Sequence, residues 1–360
     1  MDQQGQNGLL KTFRQGWRNR SPVGVAIALG LIGFYLVLYF TPHFEPIAKA
    51  MGLKNKWFLY GFLYCVAMVG GGLRYLYYHG NSRYNRLRIA TNIGVQIVLG
   101  FSVPFIMHLS GSKDFYFSYL WPLKFDYMMP DTLSQLPLYL SAYCFFGSLI
   151  AVPMLAVFLG KRWYCSWVCG CGGLSNTFGD PWRHLTATST ASWRFEQVTV
   201  HTVLILAVST TAIVFVDFLL GTGQTGLSAY VYPLRYWYGL VVTSVLAGVV
   251  GTGFYPLFGP RVWCRNFCPM AAMLGLFQKF GRFRIAVKKD MCISCGNCST
   301  YCEMGIDVRS YAQSNQSFTR ASCVGCGMCA HMCPRGVLKL ETVSKTQDDK
   351  GRQGLAVVDF

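Results

Sequence analysis

Charge is what this sequence holds least of. Only 13% of its 360 residues are Asp, Glu, Lys or Arg, against about 25% in an average soluble domain. The shortage is regional: charges are sparse before residue 260 and dense after it, as expected of a membrane part followed by a water-facing part. Acid is scarcer than base, with 15 Asp and Glu against 32 Lys and Arg and a net charge of +17. Such an excess suits nucleic acid, but the chain has no basic recognition helix, no RNP-type aromatic signature and no His-containing zinc-finger spacing, so no nucleic-acid partner is expected. No C-x-x-C-H is present, which argues against a c-type haem, and no G-x-G-x-x-G follows a strand, which leaves a nicotinamide site unsupported.

Long apolar runs are what is there. Six stretches before residue 261 lack Asp, Glu, Lys and Arg: residues 21–42 (core 22–40), 57–73, 89–112, 132–160, 197–216 and 236–260. Each meets the roughly 17–25 residues that a membrane helix needs. The loops between them alternate in basic charge. Lys11, Arg14, Arg18, Arg20, Arg74, Arg83, Arg86, Arg88, Lys161, Arg162, Arg183 and Arg194 fall on one side. Lys49, Lys54, Lys56, Lys113, Lys124 and Arg235 fall on the other. Lys and Arg collect on the cytoplasmic side, so both termini are expected in the cytoplasm. The first run is too long for a signal-peptide core and reads as an uncleaved anchor. An aromatic segment on the outer side, Phe115, Tyr116, Phe117, Tyr119, Trp121, Phe125 and Tyr127, reads as an interfacial belt, with a re-entrant quinone-pocket segment as the alternative. His108, near the outer end of the third span, and His201, near the inner end of the fifth, are mismatched in depth for a shared haem. Either is a candidate to hydrogen-bond a quinone.

Fifteen cysteines, in C-x2-C and C-x3-C groups on a membrane chain, point to metal ligation in a reducing compartment and not to disulfides. Two groups have the full run of a two-cluster bacterial ferredoxin: Cys292-x2-Cys295-x2-Cys298-x3-Cys302, and Cys323-x2-Cys326-x2-Cys329-x3-Cys333-Pro334. In that run the fourth cysteine serves the other cluster. The first [4Fe–4S] centre is therefore expected on Cys292, Cys295, Cys298 and Cys333, and the second on Cys323, Cys326, Cys329 and Cys302. Gly296, Gly325 and Gly327 suit the tight cluster loops. Glu303 takes the place of the proline after Cys302 and is expected to lower the potential of the second centre. Arg284–Val287 and Val337–Leu340 read as paired strands.

A second repeat lies at the membrane edge. Gly160-Lys161-Arg162-Trp163-Tyr164-Cys165-x3-Cys169 recurs as Gly259-Pro260-Arg261-Val262-Trp263-Cys264-x3-Cys268. If helical, each pair presents both thiols on one face. Cys165, Cys169, Cys264 and Cys268 are read as a candidate third redox or metal site, with Arg162 and Arg261 placed to stabilise thiolate or bind lipid phosphate. Reduced thiols packing a turn are the alternative. Cys65 and Cys144 read as small core residues.

Together these motifs resemble the NapH/NosR/CcoG group of polytopic membrane ferredoxins, closest in layout to the NapH type. The resemblance departs from the group where Cys169 is followed by Gly170-Cys171 and not by proline. It implies a multi-pass protein of a bacterial inner membrane that relays electrons between quinol and a partner reductase or soluble carrier. CcoG-type proteins imply copper reduction during oxidase assembly, and a non-catalytic redox sensor is a third reading. The expected architecture is a six-helix transmembrane domain plus a small α+β two-cluster ferredoxin domain. Its divisions are residues 1–20 as a cytoplasmic segment, 21–260 as the membrane domain, 261–283 as the second C-x3-C segment and linker, 284–341 as the ferredoxin, and 342–360 as a polar tail.

Overall fold

In a computed structural model the described residues are 21–53, 55–221, 228–342 and 355–356. The basic segment 1–20 and Lys54 lie outside them. Among the described residues six helices are long and apolar enough to cross a membrane: Pro22–Phe40, Lys56–His79, Arg83–Leu109, Leu138–Leu159, Thr190–Leu219 and Ala229–Gly253. Three begin on side-chain caps. Ser21 accepts from Gly24 N, Asn55 from Trp57 N and Phe58 N, and Ser189 from Ser192 N, satisfying amides that the first turn leaves open. Nineteen residues in the first span reach about 28 Å at ~1.5 Å per residue, close to a bilayer's hydrocarbon thickness.

The span boundaries differ from a charge-free search for identifiable reasons. The third helix starts at Arg83 and takes in Arg88, which is buried and donates to Tyr75 Oη at 2.8 Å. The fourth starts at Leu138 because Pro137 separates it from the short helix Pro130–Gln135. The sixth starts before Arg235, which pairs with Asp131 at 2.8 Å, and it ends at Gly253.

Spans three, four and six contain wider π-type turns at Gln96–Ser102, Gly147–Ala151 and Gly239–Val250. Such turns re-aim side chains. From them Gln96 reaches Val168 O at 2.5 Å, and the Ser148 hydroxyl accepts from Trp121 N at 3.1 Å.

The aromatic outer segment is not an interfacial belt. Phe115, Trp121, Phe125 and Tyr127 are buried. Trp121 Nε1 donates to Thr211 Oγ1 at 3.0 Å, and Tyr164 Oη donates to Ser118 O at 2.9 Å. The segment folds into the bundle because these ring N–H and O–H groups find acceptors there.

The C-terminal region is a small sheet with short helices. Strands β1 (Phe283–Val287), β2 (Ser317–Phe318), β3 (Leu338–Thr342) and β4 (Leu355–Ala356) lie in the order β3-β1-β2-β4. The expected pairing of β1 with β3 is antiparallel, with Ile285 opposite Leu340. β2 was not anticipated, and β4 places part of the tail at the sheet edge. Residues 261–283 are not a free tether. The helix Pro269–Gln278 is almost wholly buried against the bundle.

Gly160 and Gly259 occupy equivalent strained positions, with φ of 76° and 91°, a region costly for residues with a Cβ. A Cβ on Gly160 would also lie 2.6 Å from Phe283 Cβ on β1. Gly160→Ala should therefore loosen the ferredoxin from the bundle, costing at least ~1–2 kcal/mol for the backbone alone. Limited proteolysis between residues 279 and 290 should speed up; unchanged cleavage would contradict this packing.

Candidate functional site

The repeated C-x3-C segments do not place their cysteines on one helix face. A short helix ends at Cys165, and Cys169 stands in extended backbone ahead of the helix Gly170–Asn176. The second copy matches: Val262–Asn266 carries Cys264, and Cys268 precedes Pro269–Gln278. The break follows from Pro269 in one copy and the glycine-rich 170–173 run in the other. The two helix-turn-helix units face each other. Cys165, Cys169, Cys264 and Cys268 are all buried in one core cluster and interact electrostatically. Four thiols from segments about a hundred residues apart thus gather inside the membrane bundle.

Their surroundings are built for sulfur. Ala271 N points at Cys268 Sγ, 3.4 Å away, and Arg261 Nη1 at Cys264 Sγ, 3.6 Å away. Burial pushes the Cys165 thiol up to about 12, while a hydrogen bond from the Cys171 thiol brings Cys169 down to about 7. The two arginines of the repeat differ. Arg261 faces the thiols, whereas Arg162 stacks on Phe283 and bonds Thr342 Oγ1 at 2.8 Å.

The ferredoxin cysteines form two further groups. Cys292, Cys295, Cys298 and Cys333 line a single cavity, beside Gly296 and Pro334. Val337 N approaches Cys333 Sγ at 3.4 Å. Cys302, Cys323, Cys326 and Cys329 interact with one another. Burial pushes Cys302 up to about 12 and Cys323 to about 11, so these thiols ionise only with a compensating cation or metal. Cys329 also interacts with Cys298 of the outer group. Among the described residues no three such side chains are gathered tightly enough to hold one metal ion; the thiols border spaces. A thiolate-bound group with one iron per sulfur fits such donor sets. Gly296, Gly325 and Gly327 all have positive φ in the cluster loops, as the spacing required.

The inner group sits against the membrane domain. Tyr84 Oη donates to Gly325 O at 2.7 Å, Ser166 Oγ to Val324 O at 2.7 Å, and Gln278 Nε2 to Arg320 O at 2.6 Å and Cys323 O at 3.1 Å. Cys295, in the outer group, is exposed.

Glu303 departs most from expectation. It is fully buried and held by two guanidiniums, Arg183 at 2.8 Å and Arg261 at 2.9 Å. Its charge is thus shared with two guanidiniums, of which Arg183 opposes its effect on the neighbouring Cys326. Burial alone would raise its pKa; Arg183, then Arg261 and Arg88, reverse this and hold it at about 2. Arg183 also binds Asp180 at 2.6 Å. The sequence flagged Glu303 by position but gave no sign of Arg183, 120 residues away, or of Lys161 and Gln278.

Comparisons with known proteins agree with this layout. A 4Fe-4S dicluster domain family matches residues 291–338, and a 4Fe-4S binding domain family matches residues 142–186 and 241–288, one stretch around each C-x3-C copy. The chain is 26% identical over 177 residues to the electron transport protein YccM of Escherichia coli (strain K12), covering 46% of this chain and 47% of that protein. It is 27% identical over 202 residues to the methylamine utilization ferredoxin-type protein MauN of Paracoccus denitrificans (strain Pd 1222), covering 51% and 67%. The chain therefore spans about half to two thirds of the length of these relatives. No solved structure matches it. It carries iron–sulfur domains of ferredoxin type, on a helical part suited to a membrane, and electron transfer is the activity they support.

Replacing Glu303 with Gln leaves two buried guanidiniums short of their counter-charge, a loss of about 3–5 kcal/mol. Glu303→Gln should lower the thermal midpoint and release iron faster than a surface Glu341→Gln control. Because the folded pKa is depressed, this contribution is complete above about pH 4.5 and drains away as pH falls toward 2. In acid titration of metal-free protein the ferredoxin should detach over that window in wild type; the Gln variant should keep only the smaller acid dependence of Asp180, which is also held at about 2.

Proposed function

We propose that this protein is a polytopic membrane ferredoxin of the NapH type, passing electrons between the quinone pool and a partner reductase or soluble carrier. The single observation that supports it best is the succession of three cysteine groups. One lies inside the bundle, one is latched under the ferredoxin, and one opens on its surface. In this reading Cys323, Cys326, Cys329 and Cys302 hold the inner [4Fe–4S] centre, and Cys292, Cys295, Cys298 and Cys333 the outer one. Cys165, Cys169, Cys264 and Cys268 hold a third metal or iron–sulfur centre. Such centres supply one-electron transfer; the chain's own residues position, insulate and charge-compensate them.

The exposed outer group is where a partner protein docks, and the buried groups face the bilayer. With basic loops on the side of Arg74, Arg83 and Arg183, both termini and the ferredoxin are assigned to the cytoplasmic face of an inner membrane. In this reading the chain divides into 21–260 as the membrane domain and 284–341 as the ferredoxin, with 261–283 between them.

Iron and sulfide counting with EPR on anaerobically purified protein tests the assignment. Two cubanes give about eight irons, and a third about twelve. Cys264→Ser with Cys268→Ser should remove about four irons and leave the ferredoxin signals in place. Eight irons in both proteins, with no other metal present in wild type and lost in the variant, would reduce the bundle cysteines to packing thiols.

A further inference from the structure

Each copy of the C-x3-C repeat brings one cation to the bundle thiols, and the two cations are held differently. In the second copy it is Arg261, which points Nη1 at Cys264 Sγ while its charge is met by Glu303 at 2.9 Å. In the first copy the matching Arg162 turns away to Phe283 and Thr342. Its place is taken by the residue before it, Lys161, where the second copy has Pro260. Lys161 is 3% exposed, and among the described residues its ammonium donates to one acceptor, the neutral Ala321 O at 3.2 Å. Glu196 borders the same narrow space but is taken by Arg265 at 2.6 Å.

Lys161 stands between two cysteine groups. It shares that narrow space with Cys264 of the bundle and with Ser322, which precedes Cys323 in the chain. Its ammonium acts electrostatically on Cys165 and Cys264 of the bundle group and on Cys323 of the inner ferredoxin group. Gln278 fixes the arrangement. Its Oε1 accepts from Lys161 N at 2.6 Å, and its Nε2 donates to Cys323 O at 3.1 Å. One buried side-chain amide thus ties the Lys161 backbone to the inner cysteine loop, and Ala321 O ties the tip of the side chain to the same loop.

A buried cation needs negative charge near it, and the sulfurs of two groups are what face this one. Reduction of a thiolate-bound centre adds one negative charge, so net charge close by moves its potential. The movement is largest where water is excluded and the field is weakly screened. Arg183 and Arg261 share their charge with Glu303; Lys161 has no such partner to offset it.

We propose that Lys161 is a shared counter-charge that raises the potentials of both the bundle centre and the inner ferredoxin centre. The proposal rests on the three-centre reading above and gives two of those centres a common control. The outer group opens on the exposed side of the ferredoxin, where solvent ions screen charge, and its centre serves as the internal reference.

The test is potentiometric titration of the full-length protein in lipid nanodiscs, followed by EPR, with Cys295→Ser assigning the outer signal. Lys161→Met should make the reduced form of the inner centre at least about tenfold less favoured, a fall of about 59 mV for a one-electron couple. The bundle centre should shift the same way, and the outer centre much less. Lys161→Arg, which keeps the charge, should restore most of the difference. Iron lost from the Met variant alone, with the Arg variant complete and at wild-type potentials, would also support the charge role. Unchanged inner and bundle potentials in an iron-complete Met variant would overturn the proposal and leave the relay standing. So would an equal fall at all three centres, which marks a general change in the fold. Iron lost from the Met and Arg variants alike would make Lys161 a packing residue and overturn it too. If wild type holds eight irons and no bundle metal, the three-centre reading falls and takes the bundle half of the proposal with it; the inner shift then decides the other half.

Discussion

The junction depends on one carboxylate. Glu303 is closed off from water and gripped on both oxygens, by Arg183 and by Arg261. Arg183 belongs to the loop after the fourth span, Arg261 to the segment after the sixth, and Glu303 to the ferredoxin. The contact therefore joins both halves of the membrane repeat to the soluble module. A buried ion pair is a poor source of net stability, because desolvation offsets most of the attraction, but it penalises separation heavily. Sliding the ferredoxin would strand charges in a dry interior, so this contact fixes position more than it adds stability.

The charges around it do not cancel within the network. Arg88, Arg183 and Arg261 face Glu303 and Asp180, an excess of cation, and Lys161 adds to it beside Cys165, Cys264 and Cys323. Buried cations need anions near them, and ionised thiols at those cysteines are the groups in place to serve. The same thiols, left protonated, would leave the guanidinium and ammonium charge uncompensated. Site chemistry and junction stability are thus coupled: occupation of the cysteine groups and docking of the ferredoxin favour each other.

Much of this was readable from the chain. Six spans, the eight-cysteine spacing and the β1–β3 pairing all depend on local signals, namely runs, fixed offsets and alternation. What could not be read depends on distant partners. The span ends were misplaced wherever an arginine inside a helix had a remote acceptor, as Arg88 has in Tyr75. The aromatic segment was read as a belt because composition cannot reveal that Trp121 has Thr211 to bond. The C-x3-C spacing puts both thiols on one face only if the segment is helical; the backbone breaks between the cysteines, and opposing units supply the four thiols. Glu303 was read as a bare charge because its two arginines lie 42 and 120 residues away.

The break between paired cysteines has a consequence for how the site works. On one continuous helix, two thiols four residues apart would share the helix's mobility and point outward together. Split across a turn, each pair has its first cysteine within a short helix and its second in extended backbone, where nearby amides reach the sulfur, as Ala271 N reaches Cys268. Two such units, each begun by a left-handed glycine that only Gly occupies without strain, close on each other inside a helical bundle. The rigidity comes from the bundle and the donors come from the turns. That division lets a membrane domain, whose spans must satisfy their own backbone hydrogen bonds, still present an amide to a buried thiol, as Ala271 N does to Cys268.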